Sequence, residues 1–180
     1  MNALKTGKYP PGTTAKYLAA KIVSDAGETA LHGAAYYGTL PAGTTNADLM
    51  SVRDEKGNTP LHLAAVGGNL LPGTTVDDLI RCKNNRGWTA LHEAAGWGNL
   101  PLNTTVQALE STCTDDGMTA LIVAALHGNL PAGTTAQDLR NGKKFNGKSP
   151  LELLAKDQVM TVLNNLGAAD GDEFAGSLEC

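Results

Sequence analysis

Large aromatic rings are scarce in this chain of 180 residues, which has only two Trp, four Tyr and two Phe. It also lacks any run of about 18 apolar residues, so we expect no transmembrane helix. The opening segment "MNALKTGKYPPGTT" has none of the apolar stretch that a secretory signal needs. We therefore expect a cytoplasmic protein, although a secreted or periplasmic chain that had lost its signal would show the same absence.

Cysteine is equally sparse, and its three copies Cys82, Cys113 and Cys180 form an odd set without a short CxxC pair. This pattern argues against a disulfide framework and against a zinc site, so we interpret them as reduced thiols. An apolar content of 42% and a formal charge of −4 are typical of a soluble globular chain. Composition alone therefore indicates no partner.

What the chain does contain is a phrase that recurs every 30 residues. Its copies are "GETALHGAA" from Gly27, "GNTPLHLAA" from Gly57, "GWTALHEAA" from Gly87, "GMTALIVAA" from Gly117 and "GKSPLELLA" from Gly147. A second phrase keeps step with it, as "TLPAGTTNADL", "NLLPGTTVDDL", "NLPLNTTVQAL" and "NLPAGTTAQDL". A partial copy, "YPPGTTAKYL", begins at Tyr9, one residue out of register. Such a period predicts a repeat architecture.

The first phrase predicts a short helix with defined ends. The Gly follows a polar tip and suits a positive φ, and the next Thr is a helix N-cap. Leu and paired Ala residues then recur at helical spacing and are small enough for neighbouring helices to approach closely. Gly38, Gly68, Gly98 and Gly128 end these helices as C′ residues.

The second phrase predicts a second, brief helix of about eight residues. Thr45 with Asp48 forms a variant of the capping box, and the same pair recurs as Thr75 with Asp78 and Thr135 with Asp138. One Leu in each copy is the expected buried anchor, namely Leu49, Leu79, Leu109 and Leu139.

A single pair of such helices cannot bury its apolar face, so stacked neighbours must form the core. We predict an all-α helical solenoid of helix-turn-helix repeats with hairpin-like tips. Residues 1–26 would form an N-terminal capping half-repeat, 27–146 four repeats, and 147–167 a C-terminal capping repeat that runs into a longer amphipathic helix. The small, acidic segment 168–180 is predicted to be disordered.

The phrase "GNTPLHLAAVGGNL" resembles the ankyrin repeat, whose signature is Thr-Pro-Leu-His followed by Ala-Ala and Gly. The resemblance covers roughly residues 25 to 167, and "VMTVLNNLGAAD" is similar to the ankyrin second helix and its ending. The period of 30 is shorter than the usual 33, and "LPxGTTxxDL" replaces a longer second helix. In this the chain resembles ankyrin proteins of bacteria.

The resemblance implies a concave face, built from the hairpin tips and the first helices, that binds another protein. The positions free to vary on it are the three before the repeat Gly, the one after it, the one after the His, and the two after Ala-Ala. The candidate partner-binding residues at such positions are Tyr36, Tyr37, Val66, Arg86, Trp88, Glu93, Trp97, Met118, Leu126, His127 and Phe145. Clustered exposed rings are typical of binding anchors. The alternative is that Trp88 and Trp97 cover each other or shield the alanines.

Catalytic and metal chemistry find little support. His32, His62 and His92 lie one repeat apart, on the order of 10 Å, whereas zinc needs ligand atoms within about 2.1 Å. The resemblance implies instead that each His bonds its Thr side chain and neighbouring backbone, a bond that Ile122 and Glu152 would remove in the last two units. We therefore predict no enzyme activity, no catalytic residue, no metal and no cofactor.

The charge pattern favours a protein partner over nucleic acid or membrane, because acidic and basic groups alternate along the tips. We expect a chain that is a monomer when free and binds one protein by occupancy, for example to inhibit or protect a target enzyme. The competing hypothesis is a structural scaffold or self-assembling unit that stacks through its ends. "NTT" at Asn103 also matches an N-glycosylation sequon, in which Asn replaces the Gly of "GTT".

Overall fold

The computed structural model describes residues 2–166, apart from the side chains of residues 2, 156 and 157. Gly167 and the predicted disordered segment 168–180 lie outside the described residues, as does Cys180. Within the described range the chain is all-helical, and the first and second helices alternate along it. Isolated β-bridges pair the two sides of four hairpin tips. The predicted helical solenoid is confirmed.

The first helices have eight residues each and stack one on the next. They are α3 (Ala30–Tyr37), α5 (Pro60–Gly67), α7 (Ala90–Trp97) and α9 (Ala120–His127). Each begins after an extended Thr and ends at a Gly with φ between 68° and 76°. The N-cap and C′ predictions are therefore confirmed, and a left-handed C′ position explains why Gly recurs there.

The second helices are α4 (Asn46–Leu49), α6 (Val76–Ile80), α8 (Val106–Glu110) and α10 (Ala136–Asn141). The capping box is formed as predicted, since the Thr45 amide donates to Asp48 at 2.9 Å and the Asp48 amide donates to the Thr45 hydroxyl at 3.2 Å. The predicted length of eight residues was wrong, because these helices have four to six. By residue 51 the chain has already left the helix to build the next tip.

The core is a column of leucines and alanines that runs through every unit. Its leucines come from both helix layers, and its Ala pairs separate neighbouring first helices. The largest fully buried apolar side chains include Leu31, Leu61, Leu91 and Leu121 of the first helices and Leu49, Leu79, Leu109 and Leu139 of the second. The four predicted anchors are thus confirmed, and truncating one to Ala would cost about 3 kcal/mol.

Polar ladders join the repeats at both ends of the first helices. At the tips, the amide of Glu55 donates to the carbonyl of Ala26, and the amide of Asn85 donates to the carbonyl of Lys56, both at 2.9 Å. At the other end, the Asn99 side-chain amide donates to the carbonyl of Ala65 in the preceding repeat at 2.9 Å. Asn129 donates to the carbonyl of Ala95 at 3.0 Å, and Asn69 donates to that of Tyr36 at 2.7 Å. The bonds from Asn satisfy helix-terminal carbonyls that would otherwise lack partners.

The N-terminal unit contains more than the sequence predicted. Besides α2 (Ala15–Ala19), which follows the "PPGTT" turn, it has a short helix α1 (Asn2–Thr6) that packs against α3. The hydroxyl of Thr39 donates to the carbonyl of Leu4 at 2.5 Å. Helix α1 therefore occupies the place of a first helix in the opening unit.

The C-terminal unit replaces the first helix with a 3₁₀ turn, Leu151–Leu153, followed by α11 (Lys156–Asn165). Helix α11 buries Val159, Val162 and Leu163. The predicted amphipathic helix is confirmed. Its apolar side closes this end of the core.

Candidate interaction face

The three framework histidines hold adjacent repeats together. In each, Nδ1 accepts from the backbone amide of the N-cap Thr, and Nε2 bonds a carbonyl oxygen in the next repeat. For His62 these partners are the amide of Thr59 and the carbonyl of Trp88, both at 3.1 Å. An amide N–H on Nδ1 requires the neutral tautomer that carries its proton on Nε2.

Burial also favours the neutral form of these rings, because it lowers the pKa of His62 and of His92 to about 4. Neutral rings with both nitrogens hydrogen-bonded serve as structural braces.

No group of three or more His, Cys, Asp or Glu side chains within residues 2–166 could hold a metal ion.

The fifth unit keeps half of this arrangement, contrary to our expectation. Glu152 takes the place of the histidine, and its Oε2 accepts from the backbone amide of Ser149 at 2.6 Å. A carboxylate accepts this amide as well as Nδ1 does, so the N-cap bond survives. In the fourth unit, Ile122 leaves only the bond from its amide to the Thr119 hydroxyl.

Three of the candidate rings are exposed at the C-terminal ends of first helices. Tyr36 and Tyr37 end α3 with 42% and 43% of their surface exposed, and Trp97 ends α7 with 63% exposed. The two tyrosine rings meet edge to face, with their centroids 5.0 Å apart. Exposed rings of this size are uncommon on a surface without a partner.

Trp88 is placed differently, since it is half-buried and packs against the core. Its ring lies 5.5 Å from the ring of His92, centroid to centroid. Trp88 thus contributes to the packing of its repeat and exposes only part of its surface. The described contacts pair Trp88 with His92.

The remaining candidates fall into two groups. Val66, Met118 and Leu126 are half-buried, and Met118 and Leu126 pack on the core. Arg86 and His127 are exposed, and Nδ1 of His127 bonds the carbonyl of Val123 at 2.9 Å. Phe145 is half-buried in the last hairpin, where its amide donates to the carbonyl of Lys148 at 2.9 Å.

Glu93 is the acidic member of the predicted set. It is half-buried on α7, one turn before Trp97. Burial raises the pKa of the Glu93 carboxyl, opposed in part by a hydrogen bond from the Trp97 side chain and by the charge of Arg86. The Glu93 carboxylate is therefore incompletely solvated.

A groove that the sequence did not predict opens beside Tyr36 and Tyr37. Its volume is about 390 Å³, and its lining residues are Leu4, Lys5, Val23, Glu28, His32, Gly33, Tyr36, Tyr37 and Leu63. The ammonium of Lys5 lies 5.5 Å from the centroid of the Tyr37 ring. Gly33 lets Leu4 of α1 approach closely, because a β-carbon at Gly33 would lie 3.1 Å from a methyl of Leu4. Gly7 and Gly12, 31 residues before Gly38 and Gly43, are the signal that could have placed α1 here.

Among the described residues, no helix combines the length and apolar character that crossing a bilayer requires. A comparison with curated proteins finds no match. The ankyrin repeat model matches residues 56–82, which contain the end of the second hairpin tip, α5 and α6. Ankyrin repeats generally mediate protein–protein interaction and are typically not enzymes. Residues 56–82 are therefore similar to an ankyrin repeat, and they form one unit of the helical solenoid.

Proposed function

We propose that this chain binds another protein through the concave face centred on Tyr36, Tyr37, Trp88, Trp97 and Met118. The observation that carries the proposal is the exposure of rings at matching helix ends, 63% for Trp97 and more than 40% for each tyrosine. Rings that served only the core would lie beside the buried leucines. Large rigid rings lose little conformational entropy on binding, which suits them as anchors.

The groove beside α1 also supports the proposal of protein binding at this face. Its walls are mainly apolar, and Lys5 and Glu28 provide polar groups among them. A pocket of this kind accepts one large apolar side chain and fixes its orientation. The face would thus offer a recess near Tyr36 and a protruding ring at Trp97.

We further propose that the chain is a monomer when free. It would act by occupying one target enzyme, which it inhibits or protects. Three of the four histidines and several of the aspartates have a structural use. The histidines brace repeats, and Asp48, Asp78 and Asp138 cap helices. The target would be blocked or shielded wherever the concave face covers it.

A second candidate function is self-assembly through the N-terminal end. Tyr17 and Ile22 are exposed by 58% and 70% in the opening unit. Stacking of copies there would make the chain a scaffold rather than a binder. Sedimentation of wild type and an Ile22→Ser variant across a range of concentrations separates the two, because only a scaffold would associate and lose association in the variant.

The test of concave-face binding is affinity capture from lysate of the source cell. The wild type is compared with a Trp88→Ala, Trp97→Ala variant and with a control, Leu102→Ala, Met160→Ala, which removes apolar groups that are 94% and 48% exposed elsewhere. Circular dichroism first establishes that all three are folded. The proposal expects one protein that wild type and control retain and the tryptophan variant loses. Equal retention by all three would contradict it.

A further inference from the structure

Glu93 is the only carboxylate among the residues that directly follow the framework histidine position in the four repeats. The position after the framework histidine holds Gly33, Leu63, Glu93 and Val123 in the four repeats. Of these, Leu63 and Glu93 are half-buried, and Val123 is buried. The Glu93 carboxylate thus lies among aliphatic and aromatic side chains. Such surroundings raise the free energy of the charged form, because they replace part of its hydration.

The protein itself supplies little positive charge to balance that carboxylate. Arg86, at the neighbouring tip, is the smallest of the three influences on Glu93, behind burial and the hydrogen bond from Trp97. Arg86 also acts on Asp116 in the next tip. Glu93 is therefore left with part of its countercharge missing.

The tips around Glu93 carry charges of both signs. Residues 54–56, 84–86 and 114–116 include four carboxylates and two cations, a net charge of −2. These charged residues are Asp54, Glu55, Lys56, Arg86, Asp115 and Asp116. Arg53 and Lys83 directly precede two of these tips, so the tips carry both signs and the attraction for a cation at this place comes from Glu93 itself.

Trp97 adds a second attraction for a cation. Its ring is 63% exposed and lies one helical turn after Glu93 on α7. The face of an indole ring attracts ammonium and guanidinium groups, most strongly where water is excluded. A carboxylate and an exposed indole on adjacent turns together suit a long basic side chain, whose methylenes pack on the ring while its head pairs with the carboxylate.

We propose that the bound partner inserts one arginine or lysine side chain beside Trp97 and pairs its charged head with Glu93. This inference rests on the proposed function, because it names the chemistry of the partner at that same face. The basic side chain supplies the countercharge that the chain lacks. The partner surface around it is apolar, to match Trp88 and Met118.

The experiment uses a phage-displayed library of random peptides, selected on the immobilised, folded full chain. Peptides that the Trp88→Ala, Trp97→Ala variant no longer binds are kept as concave-face ligands. Their affinities are then measured for wild type, for Glu93→Gln, and for the control Asp77→Asn, which removes the same charge from an exposed position on α6.

The proposal expects an arginine or lysine at one position of these peptides. Replacing it with alanine weakens binding to wild type about tenfold, Glu93→Gln weakens binding of the parent peptide about tenfold, and the two changes together cost little more than either. Asp77→Asn leaves the affinity within about twofold. Peptides that need the tryptophans but respond equally to Glu93→Gln and Asp77→Asn would overturn this inference and leave the proposed function standing. If no peptide depends on the tryptophans, both fail.

Discussion

His62 donates its Nε2–H to the carbonyl oxygen of Trp88, 3.1 Å away in the next repeat. The same ring accepts the amide of Thr59 at its own helix start. One imidazole therefore fixes a helix N-terminus and its neighbour at once. The carbonyl that it bonds belongs to Trp88, a candidate binding residue, so the bond between repeats also holds the backbone of the proposed binding face.

Replacing His62 with Ala should lower the free energy of unfolding by about 3 kcal/mol. The change leaves the amide of Thr59 and the carbonyl of Trp88 without their partner in a buried setting. Urea unfolding followed by circular dichroism measures the loss. His127→Ala is the matched control, because that ring is exposed, and it should change the free energy by less than about 0.5 kcal/mol. Equal losses in the two variants would contradict the bracing role.

Stability should fall as the pH drops from about 6.5 toward 4. Burial lowers the pKa of His62 and of His92 to about 4 in the folded state, below the ordinary value of 6.5. In this window the unfolded chain binds protons that the folded chain does not, so acid favours unfolding. Each ring should cost about 2 kcal/mol at pH 5 relative to pH 8.

Urea midpoints at pH 8 and pH 5 measure that difference. His62→Gln should show a smaller drop than wild type, by about the share of one ring. The same drop in wild type and in His62→Gln would show that another group carries the pH dependence.

Asn103→Gly should stabilise the protein by about 0.5–1 kcal/mol. Asn103 has a φ of 67°, in the position where Gly43, Gly73 and Gly133 have φ values near 82° in the other turns. Glycine adopts this region without the steric cost that a β-carbon brings. Thermal unfolding gives the difference, and Gly73→Ala is the converse variant, expected to destabilise by about 1 kcal/mol. A loss of stability in Asn103→Gly would indicate a role for its side chain.

Gly67 and Gly96 make a matched pair of helical glycines with opposite expectations. A β-carbon at Gly67 would clash with the carbonyl oxygen of Tyr36, whereas one at Gly96 would meet only a methyl of Val123, at 3.3 Å. Gly67→Ala should therefore destabilise the protein by about 2 kcal/mol, because backbone must move. Gly96→Ala should be neutral or stabilising by up to about 1 kcal/mol. Urea unfolding of both variants tests this, and a similar loss in both would be inconsistent with the packing described.

The repeat framework could be predicted because each part of the unit has a local cause. The N-cap of Thr59, the C′ position of Gly68 and the buried place of Leu79 follow from short-range rules, and all three are confirmed. Helix α1 and the groove beside it were not predicted, because five residues without a cap carry a weak periodic signal and only Gly7 and Gly12 mark the unit. Their position is set by tertiary contacts, such as that between Leu4 and Gly33.

The candidate face could be predicted only as a set of positions. Their positions in the repeat predicted that Trp88 and Trp97 share one surface. The repeat positions could not predict that the two rings differ in exposure. Trp97 ends its helix and is largely exposed, whereas Trp88 follows a tip and packs on His92. Glu152 gives a similar lesson, since replacing the framework histidine with a carboxylate kept the N-cap bond. In each case the outcome depends on side-chain contacts within the folded repeat, such as Trp88 with His92 and Ser149 with Glu152, which the register of positions alone does not give.

The most direct measurement of concave-face binding is fluorine NMR of the chain labelled with 5-fluorotryptophan. Trp88 and Trp97 are the only two tryptophans, so the spectrum has one resonance for each. We predict that the captured partner, added unlabelled, shifts or broadens both resonances, Trp97 more than Trp88 because its ring is more exposed. If size-exclusion chromatography detects the complex while both fluorine resonances stay unchanged, the result would contradict binding through the concave face.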